Sequence, residues 1–275
     1  MRSFTEEQTM FRDAYRKFLE SEIAPHVQKW RDQEIVDREA FEKAGEQGFL
    51  MIWPDEQYGG MGDRDFRFEQ IIIEEHARAG TGEWFATLHS RLVGPYIDHF
   101  GTDEQKQRWL PDCVAGKKIL AIAMTEPDAG SDLAGMRSTL IEKDGKFLLN
   151  GSKTYISNGI NADLIIVAAK SDPENNPHAM TLCVVERGME GFERGRNLDK
   201  MGMKAQDTAE LFFSNVEIPR ENILGEPGHG FIYLMQGLAE ERLIGAVGAS
   251  SNARRAFNLT REFVMERKVF GKPLA

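Results

Sequence analysis

The chain has 275 residues, with 34 Lys and Arg against 44 Asp and Glu for a formal net charge of −10, and is 41% apolar and 9% aromatic. At roughly 150 residues per domain this suggests about two domains, large enough to bury a core without staples. The acidic balance, with no basic cluster, argues against nucleic acid as main partner; the longest apolar runs, Ile119–Met124 and Leu164–Ala169, are too short to span a bilayer.

The first residues, Met1-Arg2-Ser3-Phe4-Thr5-Glu6-Glu7, carry neither an apolar signal core nor an Arg-rich, acid-poor transit pattern. Cys113 and Cys183 have no CxxC or zinc spacing, so a reducing, cytoplasmic compartment is expected. Residues 1–118 read as helices. Ser3 and Thr5 are cap candidates with Glu6 and Gln8 three residues on, and Phe11, Tyr15, Phe18 and Leu19 recur at helical spacing until Pro25 ends the run. Further helices are expected over Arg38–Glu46 (stopped at Gly48), Asp65–Ala79 (stopped at Gly80), Trp84–Phe100 (closed by Gly101) and from Thr102, with Gln105 three on, to near Gly116. Gly59, Gly60 and Gly62 make Trp53–Asp63 a loop.

From about Lys118 the period changes. Ile119–Met124, Lys146–Asn150, Leu164–Ala169, Met180–Val185 and Ala209–Phe213 are strand candidates. Asp144-Gly145 is a hairpin signal, and Gly151, Asn158-Gly159, the Pro173–Pro177 stretch and Gly188 are turns. The segment 119–227 is a β domain too irregular for βαβ units, closed by Pro219 and Gly225–Gly230. Residues 228–275 are helical again to about Lys268; one helix cannot bury both faces, so either it packs on the first helical segment or, as is expected, the natural chain continues. No internal repeat or low-complexity tract is present.

Three pieces could carry chemistry. The loop Thr125-Glu126-Pro127-Asp128-Ala129-Gly130-Ser131-Asp132 follows a β run and can offer backbone N–H groups and hydroxyls to a ligand; by itself it is also an ordinary turn. In Lys153–Gly159, alternation puts Tyr155 and Ser157 on one strand face, a ring and a hydroxyl suited to a flat heterocycle, or else a plain amphipathic strand. In the last helix, Phe231, Leu234, Leu238, Glu241, Gly245 and Gly248 share one face. Glu241 therefore sits on an apolar stripe, where a raised pKa suits a general base, and the glycines admit a close approach; a Glu paired with Arg242 or a cation of another helix is the alternative. The six histidines show no HExxH or paired metal spacing, so no metal is expected, and there is no G-x-S-x-G elbow, Walker A sequence or Rossmann fingerprint.

Ala123–Asp132, Lys153–Gly159, Lys200-Met201-Gly202-Met203-Lys204, Phe213–Pro219 with Asn222–Glu226, and Arg267–Lys272 together resemble the acyl-CoA dehydrogenase family, in the right order and along the whole chain. Lys200–Phe213 and Tyr233–Leu243 look most like its long-chain branch. The resemblance implies an α+β multi-domain fold: an α-helical N-terminal domain, a β-barrel-like middle domain and the start of an α-helical C-terminal domain. It implies an FAD flavoprotein of fatty acid beta-oxidation that converts an acyl-CoA to the trans-2-enoyl-CoA. A Glu takes the pro-R α-proton, the β-hydride goes to flavin N5, and electrons pass to an electron-transferring flavoprotein. A homotetramer, a dimer of dimers, is usual.

Carried over by position, Ile122, Ala123, Met124, Thr125, Glu126, Pro127, Asp128, Ala129, Gly130 and Ser131 would line the flavin, with Ser131 also touching CoA. Tyr155, where many members have Trp, Ile156 and Ser157, where others have Thr, would lie against the ring. Arg267 and Phe270 would reach the FAD of a neighbouring subunit, and Ala239, Glu240 and Arg242 would contact substrate. The long-chain and isovaleryl branches place the base just before an Arg early in the first C-terminal helix; here that is Glu241. Asp128 replaces the commoner Gly, which would bring mild strain if that position needs positive φ. The alternatives are a non-catalytic acyl-CoA or flavin-binding paralogue, a dehydrogenase for branched short-chain (isovaleryl-like) thioesters, and a ligand-free helical scaffold.

Overall fold

The computed structural model describes residues 4–143, 145–174, 176 and 178–275. Ser3, Asp144 and Pro177, expected to cap a helix and make turns, lie outside the described residues. The N-terminal part is helical: α1 (Glu6–Phe18), α2 (Val27–Gln33), α3 (Glu39–Glu46), α4 (Phe66–Ala79), α5 (Gly94–Phe100) and α6 (Asp103–Val114). Thr5 caps α1 and Thr102 caps α6 in reciprocal capping boxes with Gln8 and Gln105. The free amide of Gln105 then donates to the carbonyls of Glu221 (2.8 Å) and Ile223 (2.7 Å), tying α6 to the strands.

Two helical expectations need correcting. Pro25 does not end the first run: the chain continues through a π-helical turn, Leu19–Ile23, and a 3-10 turn carrying Pro25 into α2, because a proline is tolerated in a first turn where its missing N–H has no partner to lose. The expected helix over Trp84–Phe100 becomes a π-helical segment, Leu88–Val93, followed by α5. Pro95 cannot donate to a carbonyl behind it, and Gly94 packs so closely that an added Cβ would lie 2.6 Å from Met51.

The strands are β1 (Leu120–Ala123), β2 (Thr139–Lys143), β3 (Lys146–Ser157), β4 (Leu164–Lys170), β5 (Met180–Glu186), β6 (Phe192–Asn197), β7 (Thr208–Ile218) and β8 (Ile223–Leu224). They form one sheet in the order β6-β7-β3-β2-β4-β5-β8, with β1 added parallel to β4. The β2–β3 hairpin pairs Lys143 with Lys146. The strands β2, β6 and β8 carry no clear alternation; β6 reads Phe-Glu-Arg-Gly-Arg-Asn, and its place comes from pairing with β7 at the sheet edge.

The continuous apolar runs β4 and β5 are explained by burial on both faces. Leu164, Ile166 and Ala168 face the helices with Tyr96, Trp109 and Leu110, while Ile165, Val167 and Ala169 face the sheet interior with Ala123 and Leu211. A third core, with Tyr15, Phe18, Trp30, Phe41 and Trp84, fills the N-terminal helices. His89 joins the layers: its Nδ1 accepts from the Leu120 N–H (3.1 Å), so Nε2–H donates to the Cys113 carbonyl (3.0 Å). Both cysteines are buried and free.

The chain returns as α7 (Gly230–Glu266), 37 residues or about 55 Å, and ends in a small hairpin of β9 (Lys268–Val269) and β10 (Lys272–Pro273). Among the described residues no helix is long and apolar enough to cross a membrane, and no cluster of His, Cys, Asp and Glu could hold a metal ion.

Candidate active site

The loop after β1 is built around a buried ion pair. Lys153 Nζ, fully buried on β3, lies 2.8 Å from Glu126 Oε1 and also donates to the Met124 carbonyl (3.1 Å). The backbone N–H groups of Arg137 (2.6 Å) and Ser138 (3.0 Å) donate to the same carboxylate. Burial pushes the Glu126 carboxyl up, but Lys153 and these donors more than offset it and hold it below the usual carboxylate range. The side chain of Glu126 is therefore committed to the fold, and only its backbone can meet a ligand. The same holds for Ala123, Ala129 and Ile156, whose side chains are buried.

Within the loop, Glu126 and Ala129 exchange backbone hydrogen bonds (2.8 and 3.2 Å), so Pro127 and Asp128 form an exposed tip. Asp128 is not among the residues with positive φ, so the strain expected from replacing Gly does not arise. Its carboxylate pairs with Arg137 at 3.1 Å on the surface. The Thr125 carbonyl accepts from the Thr154 N–H (2.9 Å), which seats the loop against β3.

That contact falls at a β-bulge. Between Lys153 and Ile156 the β3–β7 register shifts, and Tyr155 takes φ 58°. The expected strand alternation fails here: the neighbours Lys153 and Thr154 are both buried, and Tyr155 is thrown outward, 70% exposed. A non-glycine aromatic in the left-handed region is a strained position, of the kind that collects at ligand sites. The hydroxyls of Thr125, Ser131 and Ser157 make no hydrogen bond among the described residues, and the exposed Tyr155 ring follows directly on Thr154, which holds the Thr125 carbonyl.

On α7 the line that packs against the chain runs through Gly230, Leu234, Gly237, Glu241, Ile244 and Gly248, one step aside from the expected stripe but still through Glu241. Phe231 and Gly245 fall off it; Phe231 is 39% exposed and a Cβ added to Gly245 would meet nothing within 4 Å. The close approach comes instead at Gly237, where an added Cβ would sit 2.4 Å from the Tyr96 hydroxyl oxygen.

Glu241 is half-buried and accepts a hydrogen bond from Tyr96 Oη at 2.9 Å. Burial pushes its carboxyl above the ordinary value; the Tyr96 bond and the nearby Arg242 charge oppose this only in part. Glu240 pairs with Arg91 (2.5 Å), while Arg242 is exposed. Ala239 is exposed and stands about 200° round the helix from Glu241, so it is not brought to that carboxylate.

A cavity of about 180 Å³ beside Glu241 is lined by Arg91, Leu92, Tyr96, His99 and Glu240 among others, and by neither Thr125 nor Ser157. The link to the loop is indirect: Tyr96 shares one apolar cluster with Ile122, Met124 and Leu133. A turn further along α7, Ile244, Gly245 and Gly248 line a groove of about 490 Å³ with Trp84, Phe85 and Met203. Arg267 and Phe270 make no hydrogen bond or ring contact with the loop; Arg267 lies 26 residues beyond Glu241, about 39 Å along the axis, and Phe270 is fully exposed.

Sequence reasoning missed Tyr96, Arg91 and Gly237, because an aromatic and an Arg on a helix read as core and solvated face. It also missed Glu69, buried behind Arg91 and accepting from Thr87 Oγ1 at 2.6 Å; burial raises its pKa to about 7. An acid whose folded pKa exceeds its unfolded one contributes stability below about pH 4.5 that is lost as pH rises through about 7. Glu69→Gln should therefore stabilise the chain at pH 8 by about 3 kcal/mol and change little at pH 4, as read from urea unfolding at the two pH values.

Helices, a sheet whose strands β4 and β5 are buried on both faces and a returning long helix with an inward carboxylate make a three-part α+β fold. Comparison with known proteins identifies it: residues 5–117, 121–216 and 228–275 match the family descriptions "Acyl-CoA dehydrogenase, N-terminal domain", "middle domain" and "C-terminal domain". The chain belongs to the acyl-CoA dehydrogenase family. It is 47% identical over its whole length to the mouse (Mus musculus) protein named long-chain specific acyl-CoA dehydrogenase, mitochondrial, and spans 64% of that relative's length. The solved acyl-CoA dehydrogenase of Geobacillus kaustophilus superposes with a TM-score of 0.96 at 49% identity, over 99% of this chain and 72% of that one. The Bacillus anthracis acyl-CoA dehydrogenase, solved in complex with FAD, gives 0.90 at 31% identity over 99% of this chain and 46% of that one.

Proposed function

We propose that the chain acts in the FAD-dependent α,β-dehydrogenation of a long-chain acyl-CoA thioester, with Glu241 as the base, and that residues 1–118, 119–227 and 228–275 are its three domains. The observation that carries this reading is Glu241 itself: a half-buried carboxylate with a raised pKa, on the packed line of α7, in a member of this family. A thioester α-proton is a weak acid, so its removal needs a base already ionised, close and shielded from water.

FAD fits the face made by residues 122–131, Tyr155, Ile156 and Ser157. The free hydroxyls of Thr125, Ser131 and Ser157 can meet the polar edge of a flat heterocycle, the backbone N–H groups of Asp128 and Gly130 its acceptors, and the outward Tyr155 ring its face. When bound, the flavin supplies the acceptor for the β-hydride. Glu241 takes the α-proton, Glu240 is fixed by Arg91, and the groove along α7 past Gly245 and Gly248 gives room for an extended acyl chain. Ser131, Glu240 and Arg242 are the proposed CoA and thioester contacts in the wider site. The 39 Å between Glu241 and Arg267 supports a role for Arg267 and Phe270 at the flavin of a second subunit in a homo-oligomer. An electron-transferring flavoprotein is the proposed acceptor.

A second reading, a binder that holds acyl-CoA without turnover, is favoured by the openness of α7, where Phe257, Leu259, Phe263 and Met265 are exposed. One experiment separates the two. The flavin-loaded chain is mixed without oxygen with acyl-CoAs of increasing length. Bleaching of the yellow colour, fastest with long chains and accompanied by trans-2-enoyl-CoA, supports the dehydrogenase. Acyl-CoA bound with the colour intact supports the binder.

A further inference from the structure

We infer that Tyr96 is a positioning residue for Glu241: its hydroxyl, seated in the notch left by Gly237, anchors one carboxylate oxygen and leaves the other to receive the proton. The inference rests on Glu241 being the base, and adds to that reading the residue that holds it.

Three observations carry it. The Tyr96 ring is 2% exposed and tilted against Phe100 with centroids 6.0 Å apart, and Phe100 in turn stacks on Tyr233 of α7 with ring centroids 4.1 Å apart. The ring is thus fixed between α5 and α7. Gly237, one turn before Glu241, lets the ring come up against α7; any side chain there would lie 2.4 Å from Oη and 2.8 Å from Cζ. The hydroxyl so placed donates to Glu241 Oε1 at 2.9 Å.

A donor to the ionised form favours that form, so Tyr96 opposes the burial that pushes Glu241 up. Tyr96 stays neutral, since burial and the Glu241 charge both raise its own pKa. The other charged or titratable groups around the carboxylate are Arg242 and Glu240 on α7, Arg91 before α5, His99 on α5, and Glu69 of α4 behind Arg91. Arg91 is occupied by Glu240, which leaves Tyr96 as the donor held at the base.

The test is the titration of the Glu241 carboxyl by NMR in the chain labelled at glutamate side-chain carbons. Tyr96→Phe removes one oxygen and no packing, and its midpoint is expected about one pH unit higher than that of the natural chain. The acid limb of acyl-CoA bleaching in the flavin-loaded chain should move by the same amount. Should Tyr96→Phe fail to fold, Gly237→Ala keeps the hydroxyl but displaces it, and the same upward shift is expected. An unshifted midpoint in the variant measured overturns the inference. Glu241→Gln tests the base independently: undiminished bleaching there defeats the choice of base, whereas lost bleaching with an unshifted Tyr96→Phe titration defeats only the role of Tyr96.

Discussion

Glu241→Gln is expected to keep the flavin and lose its reduction by acyl-CoA, with a fall in bleaching rate of about 10³-fold or more. Gln matches Glu in shape and can still meet the Tyr96 hydroxyl, which sits 2.9 Å from Oε1, so packing on α7 is preserved. What disappears is the capacity to take a proton. The carboxylate is half-buried and its pKa is raised by that burial, so the neutral amide should not destabilise the chain. Rapid-mixing absorbance without oxygen reads the rate, and the spectrum before mixing reads the flavin content.

The largest stability effect is expected at Lys153. Its ammonium is fully buried and faces a carboxylate that is 5% exposed, so Lys153→Met leaves Glu126 charged, buried and held only by the N–H donors of Arg137 and Ser138. Breaking one side of such a pair costs about 3–5 kcal/mol, or about 10 °C in melting temperature for a chain of this size. Glu126 holds the segment 125–138 closed, and flavin retention should fall with it. The folded pKa of Glu126 is depressed in the natural chain, so the pair contributes stability above the ordinary carboxylate range that is lost as pH falls through the depressed value. In Lys153→Met the dependence inverts: Glu126 resists ionisation, and the variant is least stable at high pH. Glu126→Gln combined with Lys153→Met removes both charges and should recover most of the loss, a non-additivity that thermal melts of the four proteins measure directly.

Elements with strong local signals were legible in the sequence. The capping residues Thr5 and Thr102, the stops at Gly80 and Gly101 and the apolar runs of β4 and β5 all read from side-chain chemistry alone. What was illegible depends on tertiary contact. The strand β6 is held by its partner rather than its composition, and the π-helical turns at Leu19–Ile23 and Leu88–Val93 have no local code. At the site, the carboxylate on α7 was visible because a Glu on an apolar line is unusual. The bulge that turns Tyr155 outward and the Tyr96–Gly237 contact were not, since each joins residues that look ordinary in their own segments. Gly245 and Gly248 were expected to admit another helix or a ligand; a Cβ added at Gly245 would meet nothing within 4 Å and one at Gly248 would lie 3.9 Å from Ile73, so no chain packs closely there, and the close packing falls at Gly237 instead.

A thioester analogue with sulfur in place of the β-carbon can surrender an α-proton but has no β-hydride to give, which isolates the step assigned to Glu241. The measurement is the exchange of its α-hydrogen into D2O in the presence of the flavin-loaded chain, natural and Glu241→Gln side by side. Rapid exchange by the natural chain and none above background by the variant is the predicted result; equal exchange by both would place the base elsewhere and contradict the account.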